Sequence, residues 1–174
     1  MKIKTERLLI VPLGMEFLSS THEYSSDLEN CRLMKHLPNN DISETISFLE
    51  GVQAEWKKEK PSYYECAILK DNEHIGAVCL YILDDDDTVG EVGWIINKKY
   101  WGRGYATEAA RAIIDFARNE LKLKKIIAHC DGENTASYKV MEKLGMTLVS
   151  RTWGRKNKAS DEEREELQYS LDLD

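Results

Sequence analysis

Two closely spaced glycines, Gly102 and Gly104, stand between an apolar strand and a helix within residues 94–110. A residue without a Cβ lets the backbone turn sharply and lets its N–H groups approach a ligand. The first turn of the following helix adds unpaired N–H groups and the positive end of the helix dipole. Arg103, between the glycines, adds a positive charge. This spacing predicts an anion site, and a pyrophosphate suits such a site best.

Two nucleotide-binding motifs with similar glycines do not fit this turn. A Walker phosphate loop needs Gly-x-x-x-x-Gly-Lys-Ser/Thr, and its lysine and hydroxyl residue are missing. A Rossmann fingerprint ends in a third small residue, where this chain has Thr107, and no acidic strand end follows at the expected distance. A tight connection without a ligand is the structural alternative, although the basic and aromatic neighbours are typical of binding loops.

The elements around the turn follow from hydrophobic periodicity. Apolar runs predict strands at residues 7–13, 64–69, 74–82, 88–96, 125–130, 146–153 and 166–171. Helical spacing predicts short pieces within 15–36 and longer helices at 42–56, 106–121 and 134–144, with a loop at 154–163. This order predicts an α/β (α+β) fold with one mixed, mostly antiparallel sheet of about seven strands and helices on both faces.

Composition limits the classes of function. The 174 residues carry a net charge of −7, with 42% hydrophobic and 32% charged residues, which suits one globular domain. The negative charge argues against direct nucleic-acid binding. No apolar run approaches the roughly 18 residues of a membrane span, and the N-terminus shows no signal-peptide pattern. We therefore expect a cytoplasmic protein without a membrane partner.

The four cysteines give no indication of a metal site. They are scattered through the chain, with neither a Cys-x-x-Cys pair nor a Cys/His cluster at zinc spacing: Cys31, Cys66, Cys79 and Cys130. Three of them lie in apolar runs, where a thiol usually serves as a small core side chain. We expect no bound metal.

Three segments together resemble the GNAT acetyltransferase superfamily, and within it the ribosomal-protein-alanine (Rim-type) branch. The glycine turn is similar to the acetyl-CoA pyrophosphate loop, Gln/Arg-x-x-Gly-x-Gly/Ala, with Trp101, Gly104 and Ala106 at its defined positions. Residues 5–10 (Thr-Glu-Arg-Leu-Leu-Ile) and 133–146, which begin Glu-Asn-x-x-Ser, match the Rim-type branch in the right order. The resemblance implies a single GNAT-like domain over residues 1–174.

The resemblance also implies acetyl-CoA as co-substrate, bound by a core at residues 88–146. The pyrophosphate would lie against the backbone of six consecutive residues: Gly102, Arg103, Gly104, Tyr105, Ala106 and Thr107. The strand residues Trp94, Ile95 and Ile96 would pair with the pantetheine arm as with an added strand. Asn134 and Ser137 would contact the pantetheine and the thioester end. Asn134 is also a typical helix N-cap.

Acetyl transfer to an amine needs a neutral nitrogen, a stabilised oxyanion and a proton for the departing thiolate. The resemblance offers two general bases, Glu91 on the central strand and His129 five residues before Asn134, although either suits an ordinary polar strand position. Many superfamily members carry a tyrosine acid where this chain has Met141, which cannot donate a proton. The resemblance to the Rim-type branch implies that Ser137 lies near the leaving sulfur and takes the acid role as a hydrogen-bond donor.

The acceptor wall is expected from residues 1–60 and the loop near 151–160. Four aromatic residues are candidate lining groups, although each favours the core: Trp56, Tyr63, Tyr64 and Trp153. The leading hypothesis is direct attack by a primary amine, with a protein N-terminal amine as one acceptor. A polyamine, amino-acid or antibiotic acceptor and a non-catalytic acyl-CoA-binding module are the alternatives. We expect either a monomer or a homodimer.

Overall fold

The computed structural model describes all 174 residues, and an eight-stranded sheet runs through it in the order β1-β2-β3-β4-β5-β6-β8-β7. The strands are β1 (Ile3–Lys4), β2 (Leu9–Pro12), β3 (Tyr63–Lys70), β4 (Glu73–Ile82), β5 (Val89–Ile96), β6 (Lys125–Asp131), β7 (Thr147–Lys156) and β8 (Glu163–Asp172). Only β5 and β6 are parallel neighbours. The helix between them is the crossover that a parallel pair requires.

Five helices cover both faces of the sheet: α1 (Leu18–Ser25), α2 (Leu28–Cys31), α3 (Ile42–Trp56), α4 (Tyr105–Asn119) and α5 (Thr135–Lys143). Successive residues of a strand point to opposite faces. Accordingly, Cys66 and Ile68 of β3 join the main core with α4, whereas Ala67 between them packs with Leu49 and Val52 of α3. None of these helices is long and apolar enough to cross a membrane.

Local sequence explains where the helices begin and end. The Asp41 carboxylate caps α3 by accepting the N–H groups of Ser43 and Glu44. The Glu44 carboxylate accepts the Asn40 N–H at 2.6 Å, one residue earlier than a capping box would have it. Gly145, with φ +84°, follows α5, because a left-handed residue ends a helix without a Cβ penalty.

The structure differs from the sequence prediction at three places. The eighth strand is β1, whose two residues are too short to give a periodic signal. The loop predicted at 154–163 is only 157–162, because β7 and β8 continue towards each other with alternating polar residues. Trp153 is not a core residue, since 73% of its surface is exposed on the edge strand β7.

Candidate active site

Strands β5 and β6 separate near the middle of the sheet. Their parallel ladder pairs residues 89–91 with 125–127 and ends there. Residues 92–96 have β4 as their only neighbouring strand, so an added extended chain could pair with their other edge. Trp94 and Ile95 lie on this open edge, whereas the Ile96 carbonyl already accepts hydrogen bonds from Asn30 Nδ2 at 3.0 Å and Trp101 Nε1 at 2.8 Å. The open edge suits an extended ligand that pairs through its main-chain-like amides.

The glycine turn lies just beyond the open edge. Gly102 and Gly104 have φ values of +73° and +79°, a conformation that favours glycine. None of the six backbone N–H groups of residues 102–107 donates a hydrogen bond within the chain. Gly104 is also the N-cap of α4, so the last of these groups form the helix N-terminus. Six unpaired donors at a helix N-terminus fit a pyrophosphate.

The N-terminal segment holds this turn in place. The Glu108 carboxylate of α4 accepts hydrogen bonds from the Thr5 hydroxyl at 2.6 Å, the Arg7 N–H at 2.8 Å and Arg7 Nε at 2.7 Å. Arg7 also donates through Nη1 to the Arg103 carbonyl at 2.9 Å and stacks on the Tyr105 ring. The Thr-Glu-Arg motif thus fixes the glycine turn and the start of α4, a role that sequence reasoning missed because the partners are about a hundred residues apart.

The two candidate bases are in direct contact. Glu91 pairs with Ile127 at the last rung of the β5–β6 ladder, and His129 lies two residues further on the same face. His129 Nδ1 lies 2.7 Å from Glu91 Oε1, and both side chains are partly exposed. A carboxylate that accepts the Nδ1 proton leaves Nε2 as the basic atom of the ring. The residues thus form one pair, where the sequence offered them as alternatives.

Asn134 and Ser137 lie at the start of α5. The Asn134 side-chain oxygen accepts the Ser137 N–H at 3.1 Å, which confirms the N-cap interpretation. The Ser137 hydroxyl makes no hydrogen bond within the chain and is partly exposed. Met141 is buried in the main core, so its position supplies no acid. A hydroxyl donor at Ser137 is thus compatible with the geometry.

A further carboxylate, Glu65 of β3, was not among the sequence candidates. Only 7% of the residue's surface is exposed, and its carboxylate accepts a hydrogen bond from the Tyr81 hydroxyl at 2.6 Å. Burial raises the pKa of Glu65 to about 7, and the Tyr81 hydrogen bond opposes this shift only in part. The sequence signal was a charged residue in the apolar part of a strand, residues 63–69.

The chain also lacks a metal-binding arrangement, because no group of three or more His, Cys, Asp and Glu side chains is placed to hold an ion. The four cysteines are free thiols, and Cys31, Cys66 and Cys130 are buried. The unpaired polar groups of the glycine turn are backbone N–H groups, and such groups fit a phosphate ester.

Known proteins share both the sequence and the fold. The acetyltransferase (GNAT) domain model matches residues 7–147. The uncharacterized N-acetyltransferase YnaD of Bacillus subtilis (strain 168) is 37% identical over 149 residues, which cover 84% of this chain and 82% of the relative. A GNAT-family acetyltransferase structure from Bacillus anthracis superposes with a TM-score of 0.83 at 30% identity and 99% coverage of both chains.

A more distant structure extends the likeness in fold. The ribosomal L7/L12 alpha-N-protein acetyltransferase RimL, solved in complex with coenzyme A, superposes with a TM-score of 0.85 at 14% identity, covering 100% of this chain and 99% of that one. The chain therefore belongs to the GNAT acetyltransferase family and is an acetyl-CoA-dependent N-acyltransferase.

Proposed function

We propose that the chain transfers the acetyl group directly to a primary amine in a ternary complex, with Glu91 and His129 acting together as the general base. The 2.7 Å contact between Glu91 Oε1 and His129 Nδ1 carries this proposal. The pair lies where the β5–β6 ladder ends, next to the open edge of β5. An imidazole whose Nδ1 proton is held by a carboxylate presents Nε2 as a proton acceptor, which suits an amine that must lose a proton.

Each proposed residue has one chemical task. His129 Nε2 removes a proton from the acceptor nitrogen, and Glu91 stabilises the resulting imidazolium. The nitrogen then forms the new C–N bond as the C–S bond of the thioester breaks. The Ser137 hydroxyl donates a hydrogen bond to the departing sulfur. The sulfur takes up the second proton that the nitrogen loses on becoming an amide, and the imidazolium releases the first proton to solvent. The backbone N–H groups of residues 102–107 hold the pyrophosphate, with Arg103 nearby.

The test is a double-mutant cycle on turnover. We expect Glu91→Gln and His129→Gln each to lower kcat by about 100-fold, with little change in the Kd for acetyl-CoA. Because the two residues act as one base, the double variant should be scarcely slower than either single variant. Initial rates with a panel of N-terminal peptides, polyamines and aminoglycosides supply the measurement, and Glu120→Gln, at the end of α4, is the surface control.

Two results would contradict this assignment. If the fold-losses in kcat of the two single variants multiply in the double variant, Glu91 and His129 act independently. Binding of acetyl-CoA without acetylation of any amine in the panel would identify a non-catalytic acyl-CoA-binding module instead.

A further inference from the structure

A row of small residues crosses the centre of the sheet on the face that carries Glu91. Cys79 of β4 lies opposite Glu65 on one side and Gly93 of β5 on the other. Cys79 and Gly93 both retain solvent-accessible surface, although they belong to central strands. On this face of the sheet, only the small residues Cys79 and Gly93 therefore separate Glu65 from the Glu91–His129 pair.

Glu65 has no positive partner within the chain. Its carboxylate has only the Tyr81 hydroxyl as a side-chain partner, and no lysine or arginine forms an ion pair with it. Nearby, burial raises the pKa of the buried Tyr24 hydroxyl, a Thr21 hydrogen bond opposes this rise, and the Glu65 charge adds to it. A buried carboxyl without a cation is costly, so proteins retain one where it serves a ligand.

The surroundings of Glu65 favour a cation. The Tyr81 ring stacks on the Tyr63 ring at 5.0 Å between centroids, and aromatic faces attract ammonium groups. Four exposed aspartates, Asp84 to Asp87, lie on the loop that joins β4 to β5, at the Tyr81 end of both strands. Together with the net charge of −7, they raise the local concentration of cationic solutes.

We propose that the acceptor is an aliphatic diamine or polyamine, and that Glu65 with Tyr81 binds its second, non-reacting ammonium group. This inference rests on the proposed transfer at Glu91 and His129, and it names the substrate class of that site. The Cα atoms of Glu65 and Glu91 are about 12 Å apart, as two strand spacings and two residue steps require. A short aliphatic chain between two ammonium groups spans the space between carboxylates at that separation.

The decisive comparison pairs a diamine with its singly blocked analogue. Putrescine and N-acetylputrescine have equal methylene linkers, but only putrescine carries a second cation. We expect the wild-type kcat/KM to be about 30-fold higher for putrescine, mainly through KM, because a charged hydrogen bond is lost in the analogue. Glu65→Gln should reduce this ratio to within about 3-fold, and Tyr81→Phe should reduce it in part. Glu120→Gln should preserve it.

Direct binding separates this inference from the proposed reaction. Calorimetry of putrescine with the CoA-bound protein should show binding that Glu65→Gln weakens about 10-fold or more. Glu65-dependent binding without turnover would support the cation site while contradicting the catalytic assignment. Equal kcat/KM for the two amines in the wild type, an unchanged ratio in Glu65→Gln, or turnover of N-terminal peptides but of no diamine would each overturn the inference.

Discussion

At the scale of the residue, Glu65 affects both the stability of the free protein and the binding of the proposed substrate. A carboxyl group that is 7% exposed and paired only with a tyrosine hydroxyl is held partly protonated near neutral pH. A bound ammonium group favours the ionised form and offsets part of that burial cost. The same residue therefore weakens the free protein and strengthens its complex with a cation.

The stability cost of Glu65 gives a pH dependence with a definite sign. Its pKa rises from 4.5 in the unfolded chain to about 7 in the folded chain. Between these values the folded chain holds a proton that the unfolded chain has lost, so the free energy of unfolding falls as the pH rises. Glu65→Gln cannot ionise. The free energy of unfolding of this variant, relative to that of the wild type, should therefore be about 2 kcal/mol higher at pH 8 than at pH 5. Urea unfolding at both pH values measures this difference, and a constant difference would contradict it.

At the scale of the element, the glycine turn and the start of α4 form one unit whose unpaired N–H groups suit an anion. Gly104 must adopt φ +79° to begin the helix while the preceding N–H groups stay unpaired. A Cβ at this position would lie 3.4 Å from Nη2 of Arg7, the side chain whose Nη1 donates to the Arg103 carbonyl. A Cβ alone fits in that space, so the main cost of a side chain here is the left-handed backbone, and a larger side chain also crowds Arg7.

Replacing Gly104 with valine tests this unit. The left-handed backbone costs a β-branched residue about 1–2 kcal/mol, and the added bulk obstructs the N–H groups. We expect Gly104→Val to lose the rise in Tm that acetyl-CoA gives the parent protein. Gly154→Val is the matched control, because Gly154 has φ +104° on the distant strand β7. Gly154→Val should lower the Tm of the free protein but keep the rise in Tm that acetyl-CoA gives. A folded Gly104→Val variant with a full rise would contradict the phosphate-binding assignment.

The predicted elements succeeded where local signals were strong. Ala109, Ala110 and Ile113 mark the buried stripe of α4, and all three lie in the main core. The contact between Glu91 and His129 could not be predicted, because it depends on the register at which β5 meets β6. The partners of Glu65 and Arg7 likewise come from elements distant in sequence. Residue types predicted the site's components, and strand register decided which of them meet.

At the scale of the whole molecule, a buried ionic network joins the acceptor-side segment to the end of the sheet. Asp131, 1% exposed, accepts hydrogen bonds from Arg164 and from Asn157 Nδ2 at 2.7 Å. Arg155 donates to Glu166 at 2.7 Å and to the Leu33 carbonyl at 3.0 Å. This network holds the β7–β8 hairpin against the segment between α2 and α3.

Removing the central carboxylate should destabilise the whole fold. Asp131→Ala leaves Arg164 and Asn157 without their buried partner, so we expect a loss of about 3 kcal/mol in the free energy of unfolding. Asp172→Ala removes an exposed partner of Lys125 and should cost less than about 0.5 kcal/mol. Urea denaturation of both variants gives the comparison. Equal losses would mean that the network is no stronger than a surface ion pair.

Because the β5–β6 ladder ends early, the sheet consists of two groups of strands with few main-chain contacts between them. Three residue pairs between β5 and β6 provide the main-chain contact between strands β1–β5 and strands β6–β8. The helices α4 and α5 connect the two groups of strands by side-chain packing. An extended ligand that lies along residues 92–96 supplies main-chain hydrogen bonds that β6 does not make to this part of β5. The cooperativity with which the two groups of strands unfold then depends on whether the donor is bound.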